Sequence, residues 1–253
     1  MRAVAFGAML MLVAVAACDK KPDVPAATTS VATTTDATAT PATAAGAVAG
    51  KNWLDEMVAT PEGGFRMGNP DARVKLVEYA SLTCPHCRDF KAESDADLHA
   101  KYIATGKVSY EYRNFLLNGP DMAASVLARC EGPRQFFNLM NAFYASQGEW
   151  TEPFTKMTPD DSKRIGALPQ DQQVAAVAKI GGLDKFMRAR GMTSAQFDKC
   201  IGDAAALKRL TDMQSEASGK LGVTGTPTFF INGVKQDGIN TWPQLEPKLV
   251  SAL

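Results

Sequence analysis

The residues with the clearest chemical meaning are the two cysteines of Cys84-Pro85-His86-Cys87, which directly follow an apolar run at residues 74–80. A Cys-x-x-Cys after a predicted strand is typical of a redox pair that cycles between dithiol and disulfide. Proline suits the first position of a helix, which predicts Cys84 at the helix N-terminus. The unpaired amides and the helix dipole favour a thiolate there. Cys87, one turn later on the same face, suits a less exposed resolving thiol.

The direction of electron transfer follows from the stability of that thiolate. His86 adds a hydrogen-bond donor or a partial charge toward the Cys84 sulfur. A stabilised thiolate favours the reduced pair, so the disulfide tends to be passed to a substrate and the protein acts as an oxidase. The sequence separates this oxidase poorly from a reductase or isomerase, and both stay open.

Thr226-Pro227 is a second candidate site element. An X-Pro bond between a glycine-rich turn and the start of a strand is a candidate cis peptide. A proline there leaves no N–H to close against the cysteine pair. The alternative is a trans proline that begins an edge strand.

The elements that position these residues form a single predicted domain at residues 51–253. We predict a short edge strand at residues 65–68, a central strand at 73–80, a helix from 84 to 106, and a strand at 108–115. Residues 118–219 are predicted to be almost all helix, with amphipathic segments at 123–129, 134–144, 172–180, 195–201 and 204–217. Thr193 and Gln196 predict a capping box. A strand at 228–231, a turn at Asn232-Gly233, an edge strand from Val234 and a helix at 242–253 complete the domain.

The N-terminus indicates export. Met1-Arg2 precedes an uncharged run at residues 3–17, which is too short for a comfortable membrane span and is typical of a signal peptide. The run ends in Val15-Ala16-Ala17-Cys18, which resembles a bacterial lipobox and predicts a lipid anchor on Cys18. The alternative is an ordinary signal peptidase site at residues 14–16, which leaves a soluble protein with a stray thiol.

Residues 18–50 are predicted to combine this anchor with a disordered tether. Residues 19–50 are dominated by Ala, Thr and Pro and contain almost no large apolar side chain. A flexible segment of this length has a typical reach on the order of 30 Å. That reach is enough to hold a domain just off a membrane surface.

Two distant blocks carry a resemblance to a known family. They are Val77-Glu78-Tyr79-Ala80 leading into the cysteine motif, and Gly222-Val223-Thr224-Gly225-Thr226-Pro227-Thr228-Phe229-Phe230-Ile231-Asn232-Gly233. With the helical segment between them, the chain resembles the DsbA family of bacterial thiol:disulfide interchange proteins over nearly all of residues 65–253. The resemblance implies an α/β, thioredoxin-like fold with a large all-helical insertion. It also implies a thiol:disulfide oxidoreductase with Cys84 and Cys87 as catalytic residues and no cofactor.

The resemblance also assigns supporting roles. Pro85 and His86 belong to the motif, and Thr226 and Pro227 are expected to form a cis-proline loop beside Cys84. The backbone of that loop would pair with an extended substrate as an added strand. Glu78 stands where the family carries a buried acid, which would accept protons from Cys87; the alternative is an exposed side chain on an alternating strand. The family's common buried lysine has no obvious counterpart at residues 110–113.

Cys130 and Cys200 remain, both within the helical segment. Some members of the family carry a second, structural disulfide in that region, which implies a bridge between these two residues. The alternative is a pair of independent buried thiols, which an oxidising compartment disfavours.

Composition and the family resemblance suggest the partners. The balance of 27 basic and 27 acidic residues gives no electrostatic footprint for nucleic acid. A zinc site is disfavoured because only His86 and His99 accompany the cysteines, and His99 is expected on a solvated helix face. We expect a monomeric, periplasmic or otherwise extracytoplasmic lipoprotein that oxidises reduced exported proteins and is reoxidised by a membrane partner of the DsbB or VKOR type. A non-catalytic binding or chaperone module is the remaining alternative.

Overall fold

The computed structural model describes residues 51–253, apart from the side chains of residues 170 and 171. The predicted signal peptide at residues 1–17, the lipid-modified Cys18 and the tether up to residue 50 lie outside these residues and stay predictions. Within the described range, no helix is long and apolar enough to cross a membrane.

A six-stranded mixed sheet forms the centre of the domain described here. Its strands are β1 (Met57–Ala59), β2 (Phe65–Met67), β3 (Val74–Ala80), β4 (Val108–Asn114), β5 (Thr228–Ile231) and β6 (Val234–Gln236). Their order across the sheet is β1-β2-β4-β3-β5-β6, and β3 and β4 are parallel whereas the other pairs are antiparallel. The central position predicted for β3 and the edge position predicted for β6 are confirmed.

β2 lies inside the sheet, so the predicted edge strand at residues 65–68 is wrong. β1 pairs with its outer side and β4 with its inner side. Phe65 and Met67 are both buried, as expected for a strand with neighbours on both sides. The prediction failed because β1 has only three residues, which is too short for an alternating pattern to be recognised.

β3 leads directly into the helix that carries the cysteine motif. This helix, α1 (Pro85–Asp97), continues through a π-helical segment, Leu98–Ile103. The chain then turns at Gly106, whose φ of +75° favours glycine. The predicted helix from 84 to 106 therefore corresponds to α1 and the π-helical segment together.

α1 packs on the face of the sheet that bears Glu78. The ring centroid of Phe90 in α1 lies 4.5 Å from that of Phe229 in β5 and 6.4 Å from that of Trp242. Trp242 begins the last helix, α10 (Trp242–Ala252). Glu78 is the direct partner of Phe229 across the β3–β5 pair, so both side chains point to the same face. The acid therefore lies beneath the helix that carries the Cys-x-x-Cys motif.

The segment between β4 and β5 is helical, as predicted. Its helices are α2 (Gly119–Arg129), α3 (Pro133–Ala145), α4 (Gln147–Thr155), α5 (Pro159–Gly166), α6 (Gln170–Ile180), α7 (Leu183–Arg188), α8 (Ser194–Ile201) and α9 (Ala204–Gly219). The capping box of α8 is confirmed, with Thr193 N–H 2.8 Å from Gln196 Oε1 and Gln196 N–H 3.2 Å from Thr193 Oγ1. Sequence periodicity missed α4, α5 and α7, which are six to nine residues long.

Cys130 and Cys200 form a disulfide in the structure. Cys130 follows the last residue of α2 and Cys200 lies in α8, and their Cα atoms are 5.7 Å apart. The bridge closes a sequence separation of 70 residues and joins two helices of the insertion.

Candidate active site

The two motif cysteines lie at the end of the central strand and the start of α1. Cys84 is the N-cap residue of α1, with extended backbone, and Pro85 occupies the first helical turn. Both Cys84 and Cys87 are free thiols and both are buried. The predicted position at the helix N-terminus therefore agrees with the structure.

Cys84 lies in surroundings that stabilise its thiolate. Its pKa is lowered to about 5, first by a hydrogen bond with Cys87 and against the opposing effect of burial. The Thr226 side chain and the backbone amides of Cys87 and His86 lower the pKa further. The two backbone amides are the donors expected at a helix N-terminus.

The motif histidine acts on Cys84 through its backbone. The imidazole of His86 is exposed, and none of the hydrogen bonds in residues 51–253 joins it to Cys84. The expected donor near the sulfur is therefore the His86 amide rather than its side chain. The Pro-His sequence alone does not show whether the amide or the side chain of His86 acts on the sulfur.

Cys87 is the buried and less acidic member of the pair. Its pKa is raised well above the ordinary value, first by burial and then by its hydrogen bond to Cys84 and the charge of Glu78. The pKa shifts of the two thiols have opposite directions. Cys84 therefore ionises readily, whereas Cys87 keeps its proton.

Glu78 is buried, so the alternative of an exposed side chain is wrong. The Tyr110 hydroxyl donates to Glu78 Oε2 at 2.6 Å. Burial raises the pKa of Glu78 to about 7, whereas the Tyr110 hydrogen bond and the charge of Lys91 oppose this shift. A carboxyl that titrates near neutral pH beside a resolving thiol can exchange a proton with it.

Tyr110 and Lys91 are site residues that the sequence reasoning missed. Tyr110 lies on β4, within residues 110–113, where the family resemblance would place a buried lysine. The positive charge near Glu78 comes instead from Lys91, four residues after Cys87 in α1. The i,i+4 spacing on one helix face was the available signal.

The loop at Thr226-Pro227 lies against Cys84. The peptide bond between these residues is cis, and Cys84 Sγ donates to the Thr226 carbonyl oxygen at 3.3 Å. Within the described residues, the Thr226 hydroxyl is buried and has no hydrogen-bond partner. It can donate to the thiolate once Cys84 ionises, in agreement with its lowering of the Cys84 pKa. The structure thus brings both predicted site elements together.

His99 does not belong to this site. It lies in the π-helical segment, partly buried rather than on a fully solvated face, with Nε2 3.2 Å from Asp95 Oδ1. Burial lowers its pKa more than Asp95 raises it. Nowhere in residues 51–253 do three or more His, Cys, Asp or Glu side chains cluster as metal ligands.

Comparisons with known proteins agree with this geometry. A family model described as Thioredoxin matches residues 60–249. A Rickettsia bellii protein named "putative protein-disulfide oxidoreductase" is 29% identical over 177 residues, which are 70% of this chain and 60% of that protein. A Rickettsia conorii protein of similar name is 30% identical over 173 residues, covering 67% of this chain and 53% of that protein. The chain thus spans about half to three fifths of the length of these relatives.

Solved structures give the same fold. The crystal structure of a protein-disulfide isomerase from Novosphingobium aromaticivorans has a TM-score of 0.71 and 34% identity, and the match covers 74% of this chain and 95% of that one. Wolbachia pipientis alpha-DsbA1 has a TM-score of 0.61 and 26% identity, with 77% and 92% covered.

Proposed function

The chain belongs to the thioredoxin family and has its DsbA-like fold, and from this premise we propose that it is a protein thiol:disulfide oxidoreductase. Cys84 and Cys87 form the redox pair. The observation that carries the proposal is the division of acidity within this pair: the pKa of Cys84 falls to about 5 and that of Cys87 rises. Reduced polypeptides are the proposed substrates.

In the proposed reaction the protein starts as a Cys84–Cys87 disulfide. A substrate thiolate attacks the Cys84 sulfur, the disulfide bond breaks, and Cys87 leaves and takes a proton, which Glu78 can supply. A second substrate thiolate then attacks the substrate sulfur of the mixed disulfide and releases Cys84 as a thiolate. Two electrons have passed from substrate to protein, and the substrate carries a new disulfide.

The cis-proline loop is proposed to hold the substrate. Its backbone at Thr226 lies within 3.3 Å of the Cys84 sulfur. An extended substrate segment that pairs there as an added strand would bring its cysteine to Cys84. Pro227 has no backbone N–H, so the loop presents carbonyl oxygens as hydrogen-bond acceptors to the substrate.

We assign the direction as dithiol oxidation. A stabilised Cys84 thiolate stabilises the reduced protein, and a reduced form that is stabilised makes the disulfide a stronger oxidant. The same low pKa makes Cys84 a good leaving group from the mixed disulfide. Regeneration then requires a membrane partner that accepts two electrons, for which the DsbB and VKOR types are the candidates.

Isomerisation is the second candidate, and one finding favours it. The structure from Novosphingobium aromaticivorans, at 34% identity, is described as a protein-disulfide isomerase. The test compares two activities of the purified oxidised chain. An oxidase rapidly introduces a disulfide into a reduced dithiol peptide and rescues scrambled ribonuclease poorly. Efficient rescue of scrambled ribonuclease, together with dimers in sedimentation, would reject the proposed monomeric oxidase.

We propose that the N-terminal residues direct this activity to the outside of the cytoplasm. Residues 1–17 act as the export signal, Cys18 is the lipid-modified mature N-terminus, and residues 19–50 tether the domain to the membrane. Mass spectrometry of membrane-fraction protein should find a lipid-modified Cys18. An intact leader, or an unmodified N-terminus, would contradict the anchor.

A further inference from the structure

The turn between β3 and α1 sets the position of Cys84. The Cys84 N–H donates to the Ser81 carbonyl at 3.2 Å and closes this turn. Leu82, at its centre, is completely buried. The polar backbone groups of a buried turn need partners, and an unpaired one is costly. Here side chains of the helical insertion supply several of them.

Gln147 makes two of these contacts with a single amide group. It is the first residue of α4 and is 4% exposed. Its Nε2 donates to the Leu82 carbonyl at 2.9 Å and to the Cys84 carbonyl at 3.0 Å. Both amide hydrogens therefore go to the turn that carries the reactive cysteine.

Two further buried side chains of the insertion bind the same turn. The Tyr144 hydroxyl, from α3, donates to the Ser81 carbonyl at 3.1 Å. Asp121, from α2, accepts the Leu82 N–H on Oδ1 at 2.9 Å. With Gln147, three insertion helices hold the turn through four hydrogen bonds.

Fixing the turn also fixes the electrostatics of Cys84. The Cys84 carbonyl accepts the N–H of Arg88 at 3.2 Å, so its position governs how the chain enters α1. The hydrogen bond with the Cys87 side chain lowers the Cys84 pKa most, and the amides of Cys87 and His86 lower it further. All three of these groups belong to that first turn. Donors held in place before charge develops stabilise it without a reorganisation cost. A turn free to shift would lose part of this stabilisation.

We propose that Gln147 is a positioning residue that couples the helical insertion to the redox pair by holding the Cys84 carbonyl. This inference rests on the proposed function of that pair. If Gln147 only satisfied buried carbonyls, its loss would change stability and leave the chemistry of Cys84 unaltered.

The test compares Gln147→Met with Gln173→Met in the full chain. Gln173 offers a matched control because its Nε2 donates to a backbone carbonyl, that of Leu168 at 2.9 Å, elsewhere in the insertion. The pH dependence of Cys84 alkylation is followed by mass spectrometry on the peptide of residues 76–88. The same peptide gives the ratio of disulfide to dithiol in glutathione buffers. Thermal unfolding is recorded for each variant.

Gln147→Met should raise the pH of half-maximal Cys84 alkylation by about one unit. From a starting pKa of about 5, that change makes the disulfide about tenfold less oxidising at pH 7. Gln173→Met should leave the apparent acid dissociation constant of Cys84 and the ratio of disulfide to dithiol within about twofold of wild type. If Gln147→Met lowers only the thermal stability, or if both variants behave alike, the proposal is wrong.

Tyr144→Phe provides the test if Gln147→Met does not fold, because it removes the hydroxyl that donates to the Ser81 carbonyl and that also lies 3.0 Å from the Tyr112 hydroxyl. It should shift both quantities in the same direction by a smaller amount, and no shift would overturn the coupling. Wild type tests the proposed function separately. If its disulfide is reducing against glutathione, the oxidase assignment fails, whereas the difference between variants still decides the role of Gln147.

Discussion

At the scale of single residues, the site works by making two neighbouring thiols unequal. A hydrogen bond with Cys87 favours the Cys84 thiolate, and Thr226 and the helix-terminal amides add to this effect. Burial, the hydrogen bond to Cys84 and the charge of Glu78 keep Cys87 protonated. In the proposed reaction, this inequality determines which sulfur meets the substrate. It also predicts different fates for the two single-cysteine variants.

Cys87→Ser should accumulate mixed disulfides when its Cys84 thiolate attacks disulfide-bonded substrate proteins, because no Cys87 thiol is present to displace the bound substrate. Cys84→Ser should accumulate none, because the buried Cys87 is a poor nucleophile at neutral pH. Non-reducing electrophoresis followed by peptide mapping distinguishes the variants. Trapping through Cys87 alone would reverse the assignment.

Glu78 should make stability depend on pH. Its pKa is raised from 4.5 to about 7 in the folded protein, so its stabilising contribution is present below about pH 4.5 and is lost as pH rises through 7. Glu78→Gln removes this loss and keeps an acceptor for Tyr110. The free energy of unfolding of the oxidised variant should exceed that of wild type at pH 8 by on the order of 3 kcal/mol and match it at pH 4.

Urea unfolding at both pH values measures this difference. Glu149→Gln, at an exposed position of α4, controls for loss of a charge and should show no such pH dependence. Equal effects of Glu78→Gln at pH 4 and pH 8 would mean that the carboxyl does not titrate between them.

At the scale of elements, long periodic segments were predictable and short ones were not. β3 shows strong alternation of buried and partly buried residues, α1 begins with a proline, and the hairpin of β5 and β6 has an Asn-Gly turn. These local features determine where the elements form. β1 has three residues and owes its place to pairing with β2. Tertiary pairing of this kind leaves no local pattern.

The same limit applies to the site. Cys84, Cys87 and Thr226-Pro227 carry their own motif, and Lys91 shares a helix face with Cys87 at i,i+4 spacing. Tyr110 and Gln147, in contrast, matter only because folding brings them close to the motif. Gln147 lies 63 residues after Cys84. A single sequence holds no signal for such a contact.

The Cys130–Cys200 disulfide should contribute to stability and not to turnover. Closing a loop with a sequence separation of 70 residues stabilises the insertion by about 4 kcal/mol in the chain-entropy model. Replacing both cysteines with alanine should lower the free energy of unfolding by roughly that amount and leave oxidation of a dithiol peptide unchanged. Guanidinium unfolding and the peptide assay measure the two effects. A parallel loss of activity in a still folded variant would show that this bridge takes part in turnover.

At the scale of the whole molecule, the sheet and the insertion meet around one redox pair. The sheet supplies β3 and the Thr226-Pro227 loop, and the insertion supplies the side chains that hold the turn before Cys84. The insertion lies between β4 and β5 in sequence, yet its side chains contact the turn before Cys84. We propose that this arrangement makes the pair an oxidant.

The reduction potential of the Cys84–Cys87 pair shows whether the pair is an oxidant. It is measured in the full chain by equilibration with glutathione buffers. A dithiol oxidase should lie toward about −120 mV, whereas a reductase lies near about −270 mV. The two values differ by about 10⁵-fold in the equilibrium constant, so the measurement separates them clearly. A potential at the oxidising end is the result predicted here. A potential near −270 mV would contradict the assigned direction.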